Sequence, residues 1–214
     1  MHYERIYDIT LSLPDEVAPY PGDTPFSREL ASSMEHGHHS DASVLTISSH
    51  AGTHLDSPAH FHPGGKSLDQ FEIGRFLVPA RMVDVPGAGP VEPVNVPGDL
   101  APGAAVLFRT NNSTSGLNAR GVFDKHFVYV SARAAEKCVA LELSLVGIDA
   151  WSVDAHDDPA YPVHRALSAA DVLVLENANL AGVPAGDYTL ACFPLKIRGG
   201  EASPVRAVLL GRNP

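Results

Sequence analysis

Cysteine is nearly missing from this chain. Among 214 residues there are two, Cys138 and Cys192, with no C-x-x-C pair, which excludes a disulfide framework and a cysteine-built zinc knuckle. Long apolar runs are missing too: no stretch approaches the roughly 18 residues that a membrane span needs. The N-terminus, "MHYERIYDITLSLPDE", carries charges where a secretory leader needs an apolar core, so no signal peptide is read and a cytoplasmic location is expected. Positive charge is scarce. Fifteen Lys plus Arg against 25 Asp plus Glu leave a formal net charge of −10, which argues against nucleic acid and anionic membranes as partners. Tryptophan occurs once, and no G-x-S-x-G nucleophile elbow occurs, which disfavours a serine triad. The apolar fraction, 44%, is ordinary for a globular protein, so a sizeable core is expected in one domain over residues 1–214.

What the chain has is histidine, 11 in all. Four of them, with an aspartate, crowd into "SSHAGTHLDSPAHFHPGG", residues 48–65: His50, His54, Asp56, His60 and His62. A folding core does not need that pattern, whereas a metal ion does, because neutral imidazoles and carboxylates are its ligands. His50 and His54 have the i, i+4 spacing of a zincin helix, but Ala51-Gly52-Thr53 is a poor helix and no Glu follows His50. The extended alternative fits better. A strand ending near His50 turns at Gly52 and returns through His54 and Asp56, whose side chains then share a face; Gly52 lets the backbone pass close to an ion.

Two histidines and an aspartate make a thin site, so further ligands are sought elsewhere. In "DVLVLEN", Val172, Val174 and Glu176 share one face of a strand, and a buried strand does not end in a carboxylate without a partner. His164 lies in the first turn of the preceding helix, "YPVHRALSAA", with Pro162 at its start. These complete a set of three histidines and two carboxylates, enough for two ions sharing carboxylates and activating water. At this level His60 is open between ligand and proton shuttle. His62 is open between a role beside the cluster and a surface position. "HGHH" at 36–39 reads as a solvated loop, Asp149 and Asp154 as capping or turn residues, and Cys192 as a core residue.

Elsewhere, "ERIYDITLSL", "VLTISSH", "PARMVDV", "AAVLFRT", "LSLVGIDAWS", "YTLACFPLKI" and "PVRAVLL" read as β segments. "SARAAEKCVAL" reads as a helix capped by Ser131. Residues 86–103, with five prolines and four glycines, read as turns between strands. The expected class is α/β, with a mixed, barrel-like sheet and more strands than helices.

"HAGTHLDSPAH" resembles the H-x-G-T-H-x-D-x-P-x-H signature of the cyclase family, whose best-known members are the bacterial kynurenine formamidases. The likeness runs nearly the whole chain, through "DITLSL", "YPGDTPF", "LVGIDAWSVD", "PVHRAL", "VLVLENANLAGVP" and "FPLKIRGGEASPVRAVL". It implies a swivelling β/β/α fold, a homodimer or higher homo-oligomer, and a site for two divalent ions, usually zinc and in some relatives manganese. By the same resemblance His50 and His54 would bind the first ion, Asp56 and Glu176 would bridge both, and His164 would bind the second. His60 would be the general acid/base. The implied reaction is hydrolysis of an N-formyl arylamide, N-formyl-L-kynurenine to formate and L-kynurenine. A small-molecule lactam of the isatin type, a lactone or another amide is the alternative substrate class, and a non-catalytic metal-dependent binding protein the alternative outside enzymes. One departure falls in the substrate pocket: the kynurenine formamidases typically carry Trp just before P-G-D, where this chain has Tyr20. An aryl ring can stack on either.

Overall fold

In the computed structural model, residues 3–211 are described; the first two residues of the charged N-terminal stretch and the last three of the chain lie outside them. Eleven strands and three α-helices form among the described residues. The strands are β1 (Arg5–Asp8), β2 (Ser27–Ser32), β3 (Ala42–Thr46), β4 (His54–Asp56), β5 (Leu77–Asp84), β6 (Ala105–Arg109), β7 (Leu145–Ile148), β8 (Leu173–Glu176), β9 (Gly186–Ala191), β10 (Ala202–Pro204) and β11 (Val208–Gly211). The helices are the single turn α1 (Asn111–Thr114), then α2 (Ala132–Ala140) and α3 (Pro162–Ala169).

Nine strands form one curled mixed sheet, a half-barrel, in the order β1-β11-β9-β5-β6-β7-β8-β4-β10. Its centre, β5 to β8, is parallel, and parallel strands are buried on both faces. Alternation along them therefore feeds two cores. Leu107, Leu145, Leu173 and Leu175 point into one, with Ile9, Leu55, Met82 and Leu190. Val106, Phe108, Val146, Ile148, Val172 and Val174 point into the other, under α2 and α3. Glu176 follows Val172 and Val174 at two-residue spacing and so ends β8 on the helix-covered face.

Ser131 caps α2, its hydroxyl accepting from the Ala134 N–H at 3.2 Å, and Pro162 occupies the first turn of α3. The segment 86–103 is mostly turns, as its composition implies, with one 3₁₀ turn at Pro93–Asn95 and a parallel bridge from Val91 to Val130. Several expected β segments are shorter than they read: "ERIYDITLSL" keeps only β1, ending at Asp8, and "PVRAVLL" breaks after Pro204 and resumes as β11 at Val208. "VLTISSH" ends as β3 at Thr46 rather than near His50, because β3 does not belong to the main sheet: it pairs only with β2, in a separate hairpin. "YTLACFPLKI" ends as β9 at Ala191, before Pro194, which leaves Phe193, Leu195 and Ile197 exposed.

Candidate metal centre and its cavity

The site forms where β4 meets β8. The strands run antiparallel with His54 opposite Glu176, and Asp56, two residues along, takes the same face. The chain reaches β4 through a turn at Ser48–Ala51 and then Gly52, whose φ of +63° suits glycine. Leu55, between the two ligand candidates, points into the opposite core. Above this face, the first turn of α3 delivers His164.

The four side chains interlock in one buried cluster. His54 Nε2 lies 3.4 Å from both Asp56 Oδ1 and Glu176 Oε2. His164 Nε2 lies 3.5 Å from Asp56 Oδ2 and 3.2 Å from Glu176 Oε1. His50 approaches from the rim, its Nδ1 3.0 Å from Asp56 Oδ1. Both buried histidines have their other nitrogen fixed: His54 Nδ1–H donates to the Gly52 carbonyl at 2.8 Å, and His164 Nδ1–H to Asp154 Oδ2 at 2.7 Å. Each Nε2 is thereby turned toward the carboxylates.

Charge behaves as a cation site would. Burial opposes protonation of His54, but Asp56 and Glu176 outweigh it and lift its pKa to about 10. Burial likewise opposes the charged form of His164, and Asp154, Asp56 and Glu176 raise its pKa nonetheless. Burial pushes Asp56 up, yet His54, His164 and His50 hold it well below the usual carboxylate range. His54 Nε2, His164 Nε2 and both oxygens of Asp56 are buried without a hydrogen-bond partner, an arrangement that costs free energy unless an ion fills it. Two donor sets, His50–Asp56–His60 and His54–Asp56–Glu176, each bring their ligand atoms within 4.8 Å of one another and share Asp56. The residues present therefore fit a divalent ion.

His60 ends a 3₁₀ turn, Pro58–His60, beside the cluster. Its ring lies 4.3 Å from that of His50 and 5.8 Å from that of His164, and burial lowers its pKa. The turn is held against Gly65, where a Cβ would meet the Pro58 carbonyl carbon at 2.7 Å. His62 is exposed, as is the 36–39 cluster.

A cavity of about 200 Å³ opens onto these groups, lined also by Tyr20, Phe61, Trp151, Tyr161, Ser152 and Asn177. Tyr20, expected at the substrate pocket, is one of the residues that line it. Its hydroxyl is 2.9 Å from His156 Nδ1, its ring packs edge-on against Phe123, and burial pushes its pKa up to about 12. The single tryptophan, Trp151, supplies a second aromatic wall, with its indole N–H donating to the Ala18 carbonyl.

Asp154 is a cap, as its sequence reading allowed, but its contact with His164 and the positions of Phe61 and Glu201 were not evident in the sequence. Asp154 caps α3, accepting from the Val163 and His164 N–H groups, and also orients His164. Phe61 stacks on His164 at 4.3 Å. Glu201 places a carboxylate oxygen 3.6 Å from His50 Nε2 while accepting from the Ser49 hydroxyl. Asp149 is a buried cap for α1, taking the Thr110 and Ser113 N–H groups. Cys192, one residue beyond β9, is buried, and burial pushes its thiol up to about 12, which suits a core residue.

A buried imidazole–carboxylate donor set at the edge of a half-barrel sheet, opening into an aromatic cavity, defines a divalent-metal enzyme. The sequence places it more closely, for the cyclase family profile matches residues 7–155, and the chain belongs to that family. It is 34% identical over 209 residues to the kynurenine formamidase of Polaromonas naphthalenivorans, covering 96% of this chain and 90% of that one. Among solved structures it resembles a potential metal-dependent hydrolase with cyclase activity, at 26% identity and a TM-score of 0.81 over 98% and 99% of the two chains. It also resembles isatin hydrolase A from Labrenzia aggregata bound to benzyl benzoate, at 25% identity and a TM-score of 0.80 over 98% and 94%.

Proposed function

We propose that this enzyme hydrolyses the formyl C–N bond of an N-formyl arylamide, with N-formyl-L-kynurenine as substrate and formate and L-kynurenine as products. The observation that carries the reading is the union, in one small cavity, of a metal-ligand set with aromatic walls from Tyr20, Phe61, Trp151 and Tyr161. Full-length similarity to kynurenine formamidases supports it. The whole chain acts as a single catalytic domain.

His50, His54, Asp56, His164 and Glu176 would hold two divalent ions, zinc or manganese. Bound divalent ions supply Lewis acidity, which acidifies water and polarises a carbonyl. The chain's own groups do the rest. Asp154 and the Gly52 carbonyl keep the Nε2 atoms of His164 and His54 facing inward. The aromatic walls hold the aryl ring and exclude water. His60 takes the proton of the attacking water and returns it to the leaving nitrogen, so that hydroxide joins the formyl carbon as the C–N bond breaks.

Absorbance-monitored hydrolysis of N-formyl-L-kynurenine tests this on metal-stripped protein and again after adding zinc or manganese. Kynurenine release restored by metal is expected. No release from protein that binds metal would reject the formamidase reading and favour the second one, an isatin-type lactam, which the likeness to isatin hydrolase A supports.

We further infer a homodimer working in the cytoplasm. The β2–β3 hairpin stands apart from the main sheet and exposes Leu30, Val44 and Leu45 at 53%, 58% and 57%. A lone two-stranded hairpin is marginal in water, and a second copy of the chain would cover it. Both cysteines are free and buried, which suits a reducing compartment.

A further inference from the structure

No lysine or arginine is among the residues that line the cavity. Apart from Glu176, which belongs to the ligand set, the one carboxylate among them is that of Asp23. The ion site accounts for the formyl end of a substrate and the aromatic walls for its ring. N-formyl-L-kynurenine also carries a chain with one ammonium and one carboxylate group, and that chain is left to the protein's own charges.

Asp23 is fixed beside Tyr20 by the two residues between them. Pro21 and Gly22 form the centre of a tight turn, closed by the Asp23 N–H donating to the Tyr20 carbonyl at 2.9 Å. Gly22 has a φ of +101°, the positive angle that the third residue of a type II turn requires, with proline favoured before it. One turn thus brings an aromatic wall and a carboxylate to the same cavity. That carboxylate is unengaged: it forms no hydrogen bond or ion pair among the described residues, and Asp23 is half-buried rather than sealed.

The surroundings have the same sign. Burial first, and then groups that are negative when ionised, Tyr161, Glu176, Asp157 and Asp154, raise the pKa of Tyr20 to about 12. Asp154 is taken up by α3 and His164, and Glu176 by the ion site. Asp157 is exposed and adds its charge to that of Asp23. An anion entering beside Tyr20 meets carboxylates with no cation in the wall to offset them, and like charges brought together suppress binding of the wrong partner.

We propose that Asp23 determines specificity at the chain end of the substrate, its carboxylate receiving the ammonium group while the substrate's own carboxylate stays in solvent. This rests on the formyl-arylamide reading and narrows it to arylamides whose chain is cationic or zwitterionic, ahead of those that carry only an anion. Asp23 touches no reacting atom and moves no proton. Its contact is the same before and during C–N cleavage, so it acts on KM rather than on kcat.

The test measures kcat and KM for wild type and Asp23→Asn on two substrates that differ only in the chain. One is N-formylkynuramine, which keeps the ammonium and lacks the carboxylate; the other keeps the carboxylate and lacks the amino group. Formanilide, which has no chain, reports the parent reaction, and metal content and Tm are measured on both proteins. Wild type should favour the ammonium substrate by about tenfold or more in kcat/KM, the scale of a hydrogen bond to a charged group, with the difference in KM. Asp23→Asn should bring that ratio to within about threefold of one, at wild-type metal content. A wild type that uses the carboxylate substrate as well as the ammonium one would overturn the proposal, and so would a preference that survives Asp23→Asn. A metal-loaded wild type that hydrolyses neither formanilide nor either charged substrate would overturn the parent reading and this one with it.

Discussion

His60 is the residue at which metal binding and chemistry should come apart. Its ring sits beside His50 but outside the buried core made by His54, Asp56, His164 and Glu176. His60→Ala is expected to lower turnover of the formyl arylamide by about 10²- to 10⁴-fold, the usual worth of a positioned acid/base, while metal content by elemental analysis stays at the wild-type level. Loss of metal would instead make His60 a ligand, as its place in a donor set with His50 and Asp56 allows. The ligand candidates were legible because each carries a local signature: H-x-x-x-H-x-D in one short stretch, a carboxylate closing an apolar strand, and a histidine one turn into a helix. Phe61 and Glu201 were not legible, since their value lies in what they face, and facing is decided by residues far away in the chain.

Among the elements, α3 has the most to lose from a single change. Asp154 accepts from two N–H groups of its first turn and from the imidazole of His164, so one carboxylate both starts the helix and aims a proposed ligand. Asp154→Asn should weaken metal binding by about 10- to 100-fold, the range for partners that orient metal-bound histidines. Asp154→Ala should weaken metal binding as well and also cost about 1 kcal/mol of stability as a lost cap. Metal titration and thermal unfolding of the metal-free protein read the two effects separately. Most strands of the main sheet were legible from apolar alternation or, at the parallel centre, from short apolar runs, and α2 and α3 from Ser131 and Pro162. "VLTISSH" misled because its alternation resembles a half-buried strand, whereas β3 keeps both faces open and ends where its pairing with β2 ends, at Ser27 opposite Thr46. Alternation reports that one face expects cover without saying which molecule supplies it.

At the scale of the molecule, that uncovered hairpin carries a prediction. Leu45→Glu places a charge on its exposed apolar surface and should convert a dimer into a monomer in light scattering coupled to size exclusion, with the Tm of the main sheet nearly kept. A monomeric wild type would sink the homodimer reading. Among the described residues no helix is long and apolar enough to cross a membrane, as the scarcity of apolar runs implied. The overall architecture was legible as a class but not as a strand order, because β4 joins the sheet out of sequence, between β8 and β10. That placement has a consequence for how the protein is made. Thr53 and Asn177, neighbours across the finished site, are 124 residues apart. At about 5–20 residues per second on the ribosome, the histidine segment emerges roughly 6–25 s before Glu176 exists. For that interval the donor set proposed above stands incomplete, and its two halves can meet only after most of the chain has been made.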